Sequence, residues 1–237
     1  MKTIILAGGK GVQPVPYPNI LPKPLMPIDG MPILEILLRR LSCSGLTDVT
    51  LTVGQLSQLF EAFFQDGKKW GLDLKYSLES EPLGTAGPLS LIEGLEKQTF
   101  LVANGDVLTD LEFGDMLSFH RSEGGIATLA VYQRQVHIDL GTIRTNNIGW
   151  VVDYQEKPSF EFSATMGINI FEPKVMEYIP RRQHLDFPDL VLKLIAAGEK
   201  VVTYPHYGYW MDLGSPLDYQ QAVKDFERMR NSFLKEE

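Results

Sequence analysis

One cysteine, Cys43, is present in the 237-residue chain, which excludes intrachain disulfides and cysteine-based zinc sites. Its setting, Leu41-Ser-Cys-Ser-Gly45, reads as a helix end and predicts a buried or half-buried structural thiol. The four histidines, His120, His137, His184 and His206, have no metal-type spacing. No G-x-S-x-G is present, so Ser-His-Asp hydrolysis lacks support. Neither a P-loop nor a G-x-G-x-x-G with its later acidic residue is found, which argues against a dinucleotide-dependent oxidoreductase. No stretch reaches the 18 apolar residues of a membrane span, and the apolar run after Met1 is too short for a signal-peptide core. The expectation is a soluble, cytoplasmic protein without a membrane partner. With 22 Lys+Arg against 30 Asp+Glu (net charge -8) and no block of five like charges, nucleic acid is not an expected partner. A small anion is still permitted, because backbone N–H groups and a few lysines can hold a phosphate locally. No linker, low-complexity stretch or repeat divides the chain.

With 44% apolar residues there is material for a sizeable core. Short β-branched runs at 2–7, 48–53, 72–78 and 100–103 alternate with helical patterns at 32–42 and 55–66 and from about Gly84. Leu34, Leu37, Leu38 and Leu41 form one helical stripe, while Leu72, Leu74, Tyr76 and Leu78 alternate as a strand with one dry face. Strands are expected at 126–132, 141–145, 149–154 and 165–171, and helices at 186–197 and from Ser215. The order β-α-β-α-β-α-β predicts an α/β fold: a Rossmann-like, mostly parallel (mixed) sheet with helices on both faces, in a single domain over 1–237. Ligands of such sheets bind outside the carboxyl ends of the strands, so the loops after Leu6, Leu78 and Val102 are the candidate site.

The stretch Leu6-Ala-Gly-Gly-Lys-Gly-Val-Gln-Pro14 puts glycines directly after a buried strand, where backbone amides can approach an anion. A plain glycine turn would look the same. The segment Pro22-Lys-Pro24, with Pro27 behind it, restrains the backbone around one lysine. A held ammonium beside a glycine loop suits a polyphosphate.

These segments resemble the signature of the sugar-1-phosphate nucleotidyltransferases, L-A-G-G-x-G-T-R-L-x-P followed by P-K-P-L-x-P. The resemblance continues through Glu81-Pro-Leu-Gly-Thr-Ala-Gly87, Asn104-Gly-Asp106, Glu156-Lys-Pro158, Met166-Gly-Ile168 with Phe171-Glu-Pro173, and Tyr209-Trp-Met-Asp-Leu-Gly214. It implies a nucleotide-binding half (about 1–110) and a sugar-phosphate-binding half (about 111–237). Leu6, Ala7, Gly8, Gly9, Lys10 and Gly11 would cradle the nucleotide with Gly84, Thr85, Asn104 and Gly105, and Lys23 would hold the triphosphate. Asp106 and Asp212 would bind a divalent metal, most simply Mg²⁺, that offsets repulsion between two phosphates. On residues alone, Asp106 could equally be a turn or cap aspartate. Glu156 would bind sugar hydroxyls, Lys157 the sugar's 1-phosphate, and Gly141, Thr165 and Asn169 would line the sugar pocket. An exposed charge pair is the plainer reading of Glu156-Lys157.

Glu79 stands five residues before Gly84, where uridylyl- and thymidylyltransferases of the family place a glutamine. A carboxylate only accepts, which matches guanine's adjacent N1–H and 2-amino donors and clashes with a uracil carbonyl. GTP is therefore the favoured nucleotide, unless Glu79 faces solvent. The implied reaction joins GTP and a mannose-1-phosphate-like hexose, heptose or cyclitol phosphate, giving a nucleotide-sugar and pyrophosphate. The alternative within the family is a uridylyl- or thymidylyltransferase. One departure stands out: the family arginine is Gln13 here. Losing such a charge costs on the order of 10²–10³ in rate, so retained but reduced activity is expected, with a nucleotide-sugar-binding regulatory protein as the rival. Assembly into a homo-oligomer is left open.

Overall fold

The computed structural model describes residues 1–8 and 21–234; Gly9, Lys10, Gly11 and Gln13 lie outside the described residues. In chain order the regular elements are β1 (Lys2–Leu6), β2 (Pro27–Ile28), β3 (Met31–Pro32), α1 (Ile33–Cys43), β4 (Asp48–Val53), α2 (Ser57–Phe64), β5 (Asp73–Leu78), β6 (Phe100–Asn104), β7 (Val107–Thr109), α3 (Phe113–Glu123), β8 (Ala127–His137), β9 (Thr142–Thr145), β10 (Val151–Gln155), β11 (Ser159–Phe171), α4 (Phe187–Ala196), β12 (Val201–His206), β13 (Trp210–Asp212) and α5 (Pro216–Phe233).

Seven strands form the main sheet in the order β12-β8-β11-β6-β1-β4-β5. β1 pairs in parallel with both β4 and β6, β4 with β5, and β12 with β8, whereas β11 runs antiparallel to β6 and β8. The sheet is thus mixed and mostly parallel, as the sequence pattern predicts. β1 lies inside the sheet between β6 and β4, and Ile4 and Ile5 are fully buried because both sheet faces are covered. The chain leaves β1 toward β4 on one side and returns to β6 on the other. The crevice at this topological switch therefore opens at the carboxyl ends of β1 and β6.

The α1 stripe packs as its spacing predicts: Leu34, Leu37, Leu38 and Leu41 are all buried, each worth roughly 1.5–3 kcal/mol. Cys43, however, is exposed. It falls two residues past the stripe's last core position, Leu41, so the expected buried thiol is corrected. Leu78 is exposed too, 61% of its surface being open: on β5, the sheet's edge strand, Leu74 is buried and Tyr76 packs half-buried against the core, while Leu78 extends past it.

The helix expected from Gly84 is instead two 3₁₀ turns, Gly87–Leu91 and Leu95–Lys97. The backbone explains this correction. Gly84 has φ +78°, a Cβ there would stand 2.6 Å from the Leu185 carbonyl, and the amides of Ala86 and Gly87 donate to that same carbonyl. The extended backbone at Ile92 (φ -99°, ψ 120°) and the left-handed Gly94 (φ +87°) then divide the segment into two short turns instead of one helix. β8 and β11 run well past the expected 126–132 and 165–171. Their extensions carry one polar face held by cross-strand pairs, Gln133–Ser163 at 3.0 Å, Gln135–Glu161 at 3.3 Å and His137–Ser159 at 2.6 Å, while Val136, Phe160 and Phe162 alternate with these residues.

α5 is capped by Ser215, whose Oγ accepts the Asp218 amide, and it is fastened at its far end by Arg40. The buried Arg40 guanidinium donates to the carbonyls of Ser232 (2.6 Å) and Leu111 (2.9 Å). Arg40→Ala strands the buried Leu111 acceptor, frees the Ser232 carbonyl and breaks the ion pair to Glu112, and should cost about 2–4 kcal/mol in urea unfolding at neutral pH. A loss below 1 kcal/mol would mean that α5 docks through its apolar face alone.

Candidate active site

The carboxyl ends of β1 and β6 are stitched together. The Gly105 amide donates to the Leu6 carbonyl at 2.9 Å, Leu6 pairs with Asn104, and the Ala7 amide donates to Thr52 at 3.0 Å. A Cβ on Gly105 would lie 3.3 Å from Pro24, so the Pro22-Lys-Pro24 segment packs onto this turn. That segment is a 3₁₀ turn, Lys23–Leu25, with Pro24, Leu25 and Met26 buried and Lys23 only half-buried. Its prolines and buried neighbours fix the backbone that presents the lysine.

Asp106 follows Gly105 at the same turn. Asp212 arrives from 106 residues later because β13 pairs with β7, with Asp212 opposite Val107, and the Leu213 amide donates to the Asp106 carbonyl at 3.3 Å. The two carboxylates influence one another. Burial pushes the Asp106 carboxyl above its ordinary range, and the Lys23 charge opposes this. The Asp212 carboxyl is also raised, first by desolvation, then by the negative charge of Asp106, with Lys23 again opposing and Asp218 adding to the rise. Lys23 makes no ion pair within 4 Å among the described residues, yet its charge acts on both aspartates. Two like charges, Asp106 half-buried and Asp212 open to solvent, with a held cation at one crevice form an arrangement that favours binding of further positive charge and phosphate together.

Among the described residues, no group of three or more His, Cys, Asp or Glu is placed to hold a metal. The chemistry of the donor set nevertheless fits a hard cation of the Mg²⁺ type, which commonly takes one or two carboxylates and fills its octahedron with phosphate oxygens and water.

Glu79 belongs to the same crevice. Its amide donates to the Val53 carbonyl at 2.9 Å, its Oε2 accepts from Leu83 at 3.4 Å, and a Cβ on Gly8 would stand 2.8 Å from its Oε1. The carboxylate therefore lies over the bare Cα of Gly8. Burial raises its pKa, with the Leu83 amide working against the rise. Gly54 completes this approach at the end of β4, where a Cβ would be 3.2 Å from the Gly8 carbonyl. Sequence reasoning passed over Gly54, although a glycine directly after a buried strand was the available signal. Thr85 is bound by its surroundings: its amide donates to Asp186 at 2.9 Å and its Oγ1 accepts the Phe187 amide at 2.8 Å. With Gly84 it fastens this loop to the start of α4.

The residues expected around the sugar fall into two groups. Asn169 is buried on β11 opposite Val102, and the exposed Thr165 precedes the register slip that ends at Asn169. In that slip a Cβ on Gly167 would collide with the Asn104 side chain, and the Met166 carbonyl accepts the Trp210 indole N–H at 3.0 Å. The slip thus ties β11 to β13, the strand that carries Asp212, and joins the Met166-Gly-Ile168 block to the Tyr209-Trp-Met-Asp block. Gly141, Glu156 and Lys157 lie on the β9–β10 arm, where Gly141 abuts Tyr154 and the Tyr154 hydroxyl donates to Glu156 at 2.7 Å. Both Glu156 and Lys157 are exposed. No hydrogen bond or ion pair joins them to the carboxylate pair among the described residues.

A family profile described as nucleotidyl transferase matches residues 2–229. The chain belongs to the sugar-1-phosphate nucleotidyltransferase family. A Synechocystis UTP–glucose-1-phosphate uridylyltransferase is 34% identical over 243 residues, covering 94% of this chain and 63% of that protein. A Mycobacterium tuberculosis mannose-1-phosphate guanylyltransferase is 34% identical over 232 residues, covering 95% and 64%. The chain thus spans a little under two thirds of the length of the curated relatives it matches. Among solved structures, HddC from Yersinia pseudotuberculosis superposes with a TM-score of 0.73 at 21% identity, covering 95% of this chain and 99% of that one. A Bacillus anthracis protein solved with sucrose gives 0.74 at 22%, covering 94% of each. At that identity these likenesses establish the nucleotidyltransferase fold. Among the described residues no helix is long and apolar enough to cross a membrane.

Proposed function

We propose that this nucleotidyltransferase chain transfers a guanylyl group from GTP to a mannose-1-phosphate-like hexose, heptose or cyclitol phosphate. The observation that carries the reading is the meeting of Asp106, Asp212 and Lys23 at the switch point of the sheet, with Glu79 against Gly8 beside them. An oxygen of the sugar 1-phosphate attacks the α-phosphorus; one P–O bond forms as the bond to the departing pyrophosphate breaks. No covalent intermediate on the protein is required, so the chain's work is to position two anions and neutralise their charge. Lys23 holds the triphosphate, and Lys157 on the arm meets the acceptor's phosphate. A divalent ion such as Mg²⁺, held by Asp106 and Asp212, would supply the offset to phosphate–phosphate repulsion. On this reading residues 1–110 serve the nucleotide and 111–237 the sugar phosphate.

Glu79 supports guanine, since a half-buried carboxylate beside Gly8 offers two acceptor oxygens to two neighbouring donors. Pyrophosphate release measured with each of the four NTPs and several sugar phosphates tests the whole reading. GTP should lead, and turnover with no NTP would overturn it. Glu79→Gln should cost GTP at least about 10-fold in kcat/KM and favour UTP or TTP, because an amide can pair with a uracil-type edge. An unchanged NTP ranking would remove Glu79 from base selection. The raised carboxyl makes GTP use sensitive to acid: protonation as pH falls through that raised value replaces an acceptor with a donor.

Gln13 favours a second reading, in which the chain binds a nucleotide-sugar and turns over slowly. Gln13→Arg should then raise the rate by roughly 10²-fold. No gain would mean that another group supplies the charge.

A further inference from the structure

The strand that carries Asp212 is short and stands apart from the main sheet. Among the described residues, β13 pairs only with β7, three residues against three, as a separate two-stranded ribbon. A ribbon of that size is marginal in water unless its ends are fixed. At one end Asp106 and Asp212 meet, where the Leu213 amide reaches the Asp106 carbonyl at 3.3 Å. At the other end three side chains converge on Tyr209. Asp110 Oδ1 accepts the Tyr209 amide at 2.7 Å and the His206 Nε2–H at 2.8 Å. His206 Nε2 also faces the Tyr209 carbonyl at 3.3 Å; both its neighbours are acceptors, so this nitrogen carries the proton. The same carbonyl accepts the Asp110 amide at 3.1 Å and the Thr109 hydroxyl at 2.9 Å. Glycine is required at 208, because a Cβ there would collide with Asp110 Oδ1 and stand 2.8 Å from His206 Cε1.

We propose, on the reading of Asp212 as a metal ligand given above, that Asp110 and His206 are positioning residues for Asp212. Together they set the register of β13 against β7 and so deliver the Asp212 carboxylate to Asp106. His206 closes β12, which pairs with β8 in the main sheet, so the clasp anchors the ribbon to the sheet as well. Register matters because a slip of one residue moves a side chain by about 3.3 Å and turns it to the opposite face of its strand. No side-chain hydrogen bond or ion pair joins Asp110 or His206 to Asp106, Asp212 or Lys23 among the described residues, so their influence runs through the backbone of β13.

Two measurements on the full chain test the clasp. Without metal, hydrogen exchange across 210–213 should quicken at least about 10-fold in Asp110→Ala. In pyrophosphate release, the Mg²⁺ concentration for half-maximal rate should rise at least about 10-fold, while KM for the NTP stays within about 3-fold. A chain that was only destabilised would lose melting temperature without demanding more Mg²⁺. Conservative variants should rescue: Asp110→Asn keeps an oxygen where Oδ1 accepts, His206→Gln places an N–H where Nε2 donates, and both should stay within about 3-fold of wild type in Mg²⁺ requirement. Gly208→Ala leaves both clasp side chains in the chain and should reproduce the Asp110→Ala pattern, so the test stands even if Asp110→Ala fails to fold. Wild-type exchange at 210–213 in these variants would overturn the inference. So would an unchanged Mg²⁺ requirement in them while that of Asp212→Asn rises. If Asp212→Asn itself leaves the Mg²⁺ requirement unchanged, the metal assignment falls instead, and exchange alone decides the clasp.

Discussion

Asp106→Asn should lower kcat at least about 10³-fold and, at the same time, raise the melting temperature of the ligand-free protein at neutral pH. The two effects share one cause. Burial holds the Asp106 carboxyl above its ordinary pKa, so the folded chain binds that proton more tightly than the unfolded chain does. Its stabilising contribution is fully present below the unfolded pKa and is lost as pH rises through the raised folded value. At neutral pH the ionised group therefore opposes folding, and its charge also raises the Asp212 carboxyl. An asparagine of the same shape removes both penalties along with the charge that the proposed chemistry uses. Wild-type melting temperature should climb between neutral and mildly acidic pH more than that of the variant, and millimolar Mg²⁺ should stabilise wild type at neutral pH and not the variant. Melting curves with and without Mg²⁺, paired with pyrophosphate release, check the prediction; a variant keeping more than a tenth of the rate would remove Asp106 from the chemistry.

Lys23→Met should cost about 10²–10³-fold in kcat/KM, with a large part in KM for the nucleotide. The side chain rises from a turn whose flanking prolines and buried Leu25 and Met26 fix the backbone, so the ammonium is presented with little loss of freedom on binding. Removing it also deletes the charge that moderates both aspartates, whose carboxyls should then rise further. The acid limb of the pH–rate profile should move to higher pH as a consequence. Lys23→Arg tests geometry: a planar fork on a longer stem should restore charge to the aspartates without restoring the full rate. Steady-state kinetics with the preferred NTP, unchanged within about 3-fold, would show that Lys23 does not touch the nucleotide.

How far the fold could be read from sequence depended on whether a segment's interactions were local. The buried strands β1, β4 and β6 and the α1 stripe carry their signal in consecutive side chains, and they sit where pattern places them. The turns at 87–91 and 95–97 do not, because the backbone leading into them, from Gly84 to Gly87, is shaped by its packing and hydrogen bonds to Leu185 and Asp186, about a hundred residues away. The outer ends of β8 and β11 were missed for a related reason: Gln133, Gln135 and His137 are held as strand residues by Ser163, Glu161 and Ser159 facing them.

The candidate site divides along the same line. The sequence alone determined which side chains are available: a glycine loop after a buried strand, one lysine held between prolines, an Asn-Gly-Asp turn, a distant Trp-Met-Asp, and a carboxylate at position 79. Those identities depend on covalent order and side-chain chemistry, both of which are local. Only the tertiary structure decided that Asp212 comes to Asp106 through the β13–β7 pairing, that Glu79 lies over Gly8, and that the apolar residues of the arm face outward. Each of these is a meeting of segments distant in the chain. Such meetings are set by strand register and by the hand of the crossovers, which no single window of sequence contains.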